Sequence, residues 1–361
     1  MADTRETHHR PRHRPVGKLL LSLAARGFRY HWFRLTGKGG PPEAVSLEVT
    51  RRCVARCVMC NLWKSPRDAP ELAAEEWLAL LASPEFRRLK ELDVTGGEPF
   101  LRGDLPRLLE GICALRETHL PHLRSVAVTT NGFLTRSVLD GVGRVLGSFE
   151  RAGLELVLVF GMDAVGELHD RIRNYPHGWS RLHETLEGVA KLRVRHPLLV
   201  LGIKTTVTRF NVGELDQVVA YAREHGLFTI ISPFLLTPAR YDNLDRAEDL
   251  ALSPGDRAVL RRFYENTPLP WRAYRDELVR FLNTGRMEKP CSAGLNYYFI
   301  RSTGDVLPCP LIPVCLGNLH RTPFGALMRS APARAFRKKV GRFPPLPHLH
   351  RTRPGTLRPA L

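Results

Sequence analysis

A chain of 361 residues, 43% apolar and 25% charged, holds one large domain or two modest ones and sits near the globular averages, which excludes a wholly disordered, collagen-like or membrane-embedded protein. Charge is the outlier: 54 basic against 36 acidic residues give +18, and only nine of the basic residues are lysine. That balance suits a binder of nucleic acid or anionic membrane, or simply an arginine-rich surface.

In chain order, HHRPRHRP (residues 8–15) reads as a disordered arm, and residues 16–36 as a basic amphipathic helix for which a membrane-surface role is a minor option. Its apolar run LLLSLAA (19–25) is far shorter than the ~20 residues that span a bilayer. From residue 44 short apolar runs alternate with longer amphipathic stretches. Strands are expected over 44–49, 89–95, 123–130, 154–162, 198–208 and 227–234, and helices over 70–83, 105–117, 137–149, 178–194 and 212–226. Six strand–helix alternations argue for a parallel α/β domain, open or closed into a barrel, with chemistry on the loops after the strand C-termini. Beyond residue 236 the rhythm changes. Residues 254–284 look helical with a break at Pro268–Pro270, and residues 291–320 are loop-rich.

The seven cysteines fall into two triplets, Cys53/Cys57/Cys60 and Cys291/Cys309/Cys315, plus Cys113 on the apolar face of a predicted helix. Such bunching suggests ligands more than disulfides. The first triplet, Cys-x3-Cys-x2-Cys, lies in the loop after the first strand, and three thiolates in eight residues can wrap one metal centre. Structural zinc wants four ligands, which leaves a zinc knuckle with a distant fourth ligand open. A [4Fe–4S] cluster also takes four, one per iron, so three cysteines leave one iron free to bind and activate a substrate. After the second strand comes Thr95-Gly96-Gly97-Glu98-Pro99. The glycine pair permits close backbone approach to a ligand, and Glu98 offers a carboxylate to a cationic group.

Cys-x3-Cys-x2-Cys followed one strand later by Gly-Gly-Glu-Pro resembles the radical S-adenosylmethionine (radical SAM) superfamily, over roughly residues 44–235. The resemblance implies an α/β fold with a partial (β/α)6 TIM-type barrel and a small loop-rich C-terminal extension. Cys53, Cys57 and Cys60 would hold a [4Fe–4S] cluster whose open iron chelates S-adenosylmethionine, with Gly96, Gly97 and Glu98 at its methionine end. Reductive cleavage would yield methionine and a 5′-deoxyadenosyl radical that takes hydrogen from substrate. Thr130 and Asn131, in Thr129-Thr130-Asn131-Gly132, resemble the family's Thr-Asn-Gly turn. Asp163 and Arg173, the latter in a His169-Asp170-x-x-Arg173 segment, are candidates for the cofactor's ribose and carboxylate, with Asn211 a weaker one. There are two departures. Met59 replaces a residue that is often aromatic near the adenine, where a thioether can still pack on a ring. Gly161 replaces a frequent serine.

Cys291, Gly304 and Cys309, with Cys315 and Gly317-Asn318 beyond, resemble the start of the SPASM and Twitch extensions, which carry auxiliary Fe–S clusters. A hairpin Ile300–Val306 would bring Cys291 and Cys309 together, and Cys315 is a further candidate ligand. The later Cys-x-x-Cys that usually completes a Twitch cluster is absent. If Leu346 and Leu349 are CTG codons followed by C, reading one base later restores it, so the tail is expected to be disordered or frameshifted. The expected organisation is an N-terminal arm and helix (1–43), a core barrel (44–235), a helical linker (236–290), a Twitch/SPASM-like module (291–343) and the tail (344–361).

The expected function is radical SAM chemistry on a peptide or a small alcohol- or sugar-type metabolite. The alternatives are a molybdopterin-type GTP cyclase and, from another class, a zinc-stabilised nucleic-acid-binding protein that would leave Gly-Gly-Glu-Pro unexplained. Flavodoxin or ferredoxin would donate the electron, nucleic acid is disfavoured as a partner, and no transmembrane segment is expected. Unpaired thiols and oxygen-sensitive clusters imply the cytoplasm.

Overall fold

The computed structural model of the protein describes residues 16–66, 69–269, 271–285 and 290–341. The expected arm at 8–15 and the tail at 344–361 lie outside the described residues. The N-terminal helix α1 spans Val16–Thr36, the range expected from its sequence. Then β1 (Ala44–Thr50), α2 (Ala74–Leu81), β2 (Glu91–Gly96), α3 (Leu105–Leu115), β3 (Ser125–Thr130), α4 (Thr135–Ala152), β4 (Glu155–Gly161), α5 (Glu167–Arg173), α6 (Gly178–Arg193), β5 (Leu199–Val207), α7 (Leu215–Glu224) and β6 (Phe228–Pro233) follow. Every expected strand and helix of the core is present, with ends moved by a few residues. Strands such as SVAVTT and ELVLVFG form because β-branched and aromatic side chains suit a pleated surface buried on both faces.

These six strands pair in parallel, each with its sequence neighbour, and β6 is a free edge, so the barrel does not close. Helices packed on the outer face bury a continuous apolar layer that includes Trp77, Phe86, Val145, Phe149 and Leu182. Cys113 lies in this layer.

The chain continues with α8 (Ala247–Leu250), α9 (Pro254–Asn266) and α10 (Arg272–Thr284). Ser253 caps α9, accepting from Asp256 N at 3.1 Å while Asp256 returns the bond. The break at Pro268 separates α9 from α10. After them come β7 (Tyr297–Ile300), β8 (Asp305–Leu307), β9 (Gly317–Asn318), α11 (Phe324–Arg329) and α12 (Ala331–Lys339). β7 and β8 form the expected hairpin, with Ile300 opposite Val306. β7 also pairs in parallel with the free side of β1, Ala44 opposite Tyr297. The cysteine-bearing C-terminal segment thereby extends the barrel's own sheet to nine strands. α1 packs against α12, and Arg337 joins the two ends of the chain by donating to Gly37 O at 3.1 Å. No helix among the described residues is long and apolar enough to cross a membrane.

Candidate functional site

The cysteine loop leaves β1 at a register shift between Glu48 and Thr50. Its backbone is fixed from two sides. Arg56 N and Val58 N donate to the carbonyls of Arg173 and Ile172 at the end of α5, at 3.2 and 2.9 Å. On the other side, Gly97 N donates to Thr50 O and Glu98 N to Arg52 O, each at 2.8 Å. The glycine pair is required by this contact. A β-carbon at Gly96 would lie 2.2 Å from Thr50 O, and one at Gly97 would lie 2.2 Å from Arg52 O. The close approach expected toward a ligand is thus first an approach to the cysteine loop itself.

Glu98 stands beneath the cavity rather than on its wall. It is fully buried and accepts from Thr130 Oγ1 (2.9 Å), Asn131 N (2.7 Å) and Phe100 N (3.1 Å). Burial pushes its carboxyl up to about 7 against the pull of those donors. Its oxygens hold the turn after β3, Oε1 taking two of these donors and Oε2 one. That turn in turn presents Asn131, whose Nδ2 points at Cys53 Sγ from 3.9 Å.

After β4, Asp163 is fully buried, and its Oδ2 lies 2.7 Å from Arg173 Nε. Its Oδ1 accepts from Thr206 N at 2.9 Å. Arg173 Nη1 reaches Cys57 Sγ at 3.8 Å. Asp163 therefore anchors Arg173, and Arg173 faces the cavity. Asn211 is fully buried and donates to Asp163 O and Thr206 O, a brace for the same turn. His169 accepts from Asp163 N at 3.2 Å, and Asp170 accepts from Trp179 N at 2.6 Å. These two residues shape α5 and lie off the cavity.

The cavity is lined by Cys53, Cys57, Cys60, Met59, Gly96, Gly97, Thr130, Asn131, Gly161 and Arg173, and also by Lys204, Thr206, Arg240 and Tyr241. Arg240 is buried and bound on both forks, Nη1 to Glu48 Oε2 at 2.8 Å and Nη2 to Thr95 Oγ1 at 2.9 Å. Lys204 is the exposed residue at the middle of the otherwise covered β5. Nothing local in the sequence tells a barrel-facing cation such as these from a structural one.

The three thiols are gathered at one cavity wall. Burial pushes Cys53 up to about 12 and Cys60 up to about 11, and raises Cys57 as well. Such thiols stay protonated until a cationic centre takes up the charge. Among the described residues, the sole His, Cys, Asp or Glu trio whose donor atoms lie within 4.8 Å of one another is elsewhere. A [4Fe–4S] cluster, whose irons each take a different thiolate, suits three cysteines gathered at one wall.

In the C-terminal segment, Cys309 is half-buried and accepts from Leu311 N at 3.4 Å, and the neighbouring Cys291 raises its pKa further after burial has done most of that work. Cys291 and Cys315 are exposed. The hairpin therefore brings Cys291 and Cys309 near each other.

The radical SAM superfamily profile matches residues 47–222, and that of an iron-sulfur cluster-binding (SPASM) domain matches residues 291–348. The AdoMet-dependent heme synthase of Methanosarcina barkeri is 27% identical over 82% of this chain and 84% of its own. The PqqA peptide cyclase of Xanthomonas euvesicatoria is 28% identical over 74% and 68%. In fold, the chain is similar to SuiB of Streptococcus suis bound to S-adenosylmethionine (TM-score 0.61, 16% identity, 90% of this chain and 74% of that one). It is also similar to anSMEcpe with bound AdoMet (TM-score 0.60, 18% identity, 83% and 84%). Residues 47–222 are a radical SAM domain and residues 291–348 an iron–sulfur cluster-binding domain, and the chain is an enzyme that uses a [4Fe–4S] cluster and S-adenosylmethionine.

Proposed function

We propose that this enzyme acts on a peptide that presents a carboxylate to Lys204. When bound, the cluster and S-adenosylmethionine supply reductive cleavage of the sulfonium and hydrogen abstraction from substrate. Cys53, Cys57 and Cys60 would hold the cluster. The backbone of Gly96 and Gly97, with Asn131, Arg173 and Met59, would line the S-adenosylmethionine side, and Thr130, Glu98 and Asp163 would hold those groups in place. Cys291, Cys309 and Cys315 are the candidate ligands of the second cluster.

The observation that carries the substrate reading is the unequal state of the cavity's cations. Arg173 is neutralised by Asp163 and Arg240 by Glu48, while Lys204 stands exposed, in the field of the buried Asp93 but with no ion-pair contact within 4.0 Å among the described residues. An exposed ammonium in a walled cavity that no carboxylate binds directly favours an anionic group. The peptide class is supported by the peptide cyclase relative, and by the likeness in fold to SuiB, also known bound to its precursor peptide SuiA. A heme-forming reaction is the second reading, favoured by the larger share of both chains that the heme synthase alignment covers.

The test is an anaerobic assay with S-adenosylmethionine, a reductant and panels of acidic peptides, their amidated counterparts and carboxylated tetrapyrroles. Acidic peptides should raise 5′-deoxyadenosine release and change in mass. Lys204→Met should raise the peptide KM with kcat nearly kept. Stimulation by tetrapyrroles and by no peptide would overturn the peptide reading.

A further inference from the structure

We infer that His183, Glu187 and His225 form a zinc site on the outer face of the barrel, tying α6 to the end of α7. One donor atom from each lies within 4.8 Å of the other two. His183 and Glu187 are four residues apart on α6, hence on one face of the helix. His225 is the residue at the C-terminus of α7.

The rings are already oriented. His225 Nδ1 lies 2.8 Å from the Tyr221 carbonyl oxygen. A carbonyl can only accept, so Nδ1 carries a hydrogen, and in the neutral ring Nε2 keeps its lone pair. That Nε2 faces Glu187 Oε1 at 3.7 Å. In the neutral ring two acceptors face each other, an arrangement that a metal ion between them would satisfy. His183 Nδ1 sits 2.8 Å from Tyr221 Oη, its ring stacks on Trp179 with centroids 5.9 Å apart, and Tyr221 stacks on His225 at 4.0 Å. An outer-shell carbonyl or hydroxyl that fixes the ring nitrogen opposite the metal is the usual support of a histidine ligand.

The donor set selects the ion. Two imidazoles and a carboxylate suit zinc, with a fourth position left to water; tetrahedral donors stand about 3.3 Å apart, so Glu187 and His225 would close from 3.7 Å and the remaining donor pairs from within 4.8 Å. Access is open, since the Glu187 side chain is 48% exposed. Glu224, near enough to act on Tyr221, adds negative charge, whereas the Arg193 guanidinium is engaged by the carbonyls of His225 and Gly226. None of the three ligands lines the catalytic cavity. α6 and α7 lead into β5 and β6, and β6 is the free edge of the barrel, so the ion would brace the side of the barrel that has no closing strand.

The test uses the cluster-loaded enzyme under anaerobic conditions, titrated with zinc against a chromophoric chelator. One zinc ion per chain should compete with the chelator in the wild type. Glu187→Gln, at an exposed position that leaves folding intact, and His225→Gln should each weaken it by about tenfold or more, at least the cost of losing an outer-shell partner. Zinc should raise the thermal midpoint of the wild type and not of either variant. Release of 5′-deoxyadenosine by Glu187→Gln should equal that of the wild type. Zinc held equally by wild type and both variants, or by none of them, would overturn the assignment and leave a protonated His225 paired with Glu187.

Discussion

The guanidinium of Arg173 fills the space that a side chain at residue 161 would need: a β-carbon on Gly161 would lie 2.6 Å from Arg173 Nη2. The glycine found where many superfamily members have serine therefore goes with an arginine laid across the end of β4 and reaching Cys57. Gly161→Ala and Gly161→Ser should both displace Arg173. We expect the KM for S-adenosylmethionine to rise roughly tenfold, about 1.4 kcal/mol, with iron retained. Steady-state kinetics check this, and an unchanged KM would show that Arg173 has room to move.

Arg240 and Glu48 are 192 residues apart in sequence and form a buried ion pair between the segment after β6 and β1. Removing one partner of such a pair leaves an uncompensated charge, at about 3–5 kcal/mol. Arg240→Met should lower the denaturation midpoint accordingly. The double variant Arg240→Met, Glu48→Leu should recover most of the loss. A double variant as unstable as the single one would mean that the pair acts through shape and not charge.

Glu98 sets a pH dependence. Its folded pKa, raised by burial to about 7, exceeds the ordinary 4.5. The folded state therefore binds the proton more tightly, and this contribution to stability is full below about 4.5 and is lost as pH rises through about 7. Glu98→Gln should flatten that slope and destabilise the protein by roughly 1–3 kcal/mol, because an amide NH2 meets the donors now satisfied by the carboxylate. Urea midpoints of the cluster-free protein at pH 5.5 and 8 check it; a variant slope parallel to wild type would contradict it.

Cys113 and Cys309 separate the two kinds of cysteine. Cys113 is packed in the core on α3, so Cys113→Ala should keep the full iron complement. Cys309→Ser should lose the iron of the second cluster and keep the spectroscopic signal of the first. Iron analysis with electron paramagnetic resonance decides between them.

The alternation of apolar runs made the barrel legible, because buried parallel strands and amphipathic helices each impose a period on the chain. The cysteine and glycine motifs located the site for the same local reason. Other features depend on residues distant in sequence. The four residues Tyr297–Ile300 carry no period of their own, so their parallel pairing with β1 is set by the edge that β1 leaves open. The hold of Glu98 on the turn at Thr130 and Asn131, thirty-odd residues later, is visible only in the fold. His183 and Glu187 share one face of α6, while His225 joins them only through the packing of α6 and α7.

The most direct test of the account is anaerobic reconstitution with iron and sulfide, followed by reduction in the presence of S-adenosylmethionine. The wild type should be brown and release 5′-deoxyadenosine. Cys57→Ala should release none while keeping the iron of its second cluster. A colourless wild-type protein that binds zinc at Cys53, Cys57 and Cys60 and forms no 5′-deoxyadenosine would contradict it.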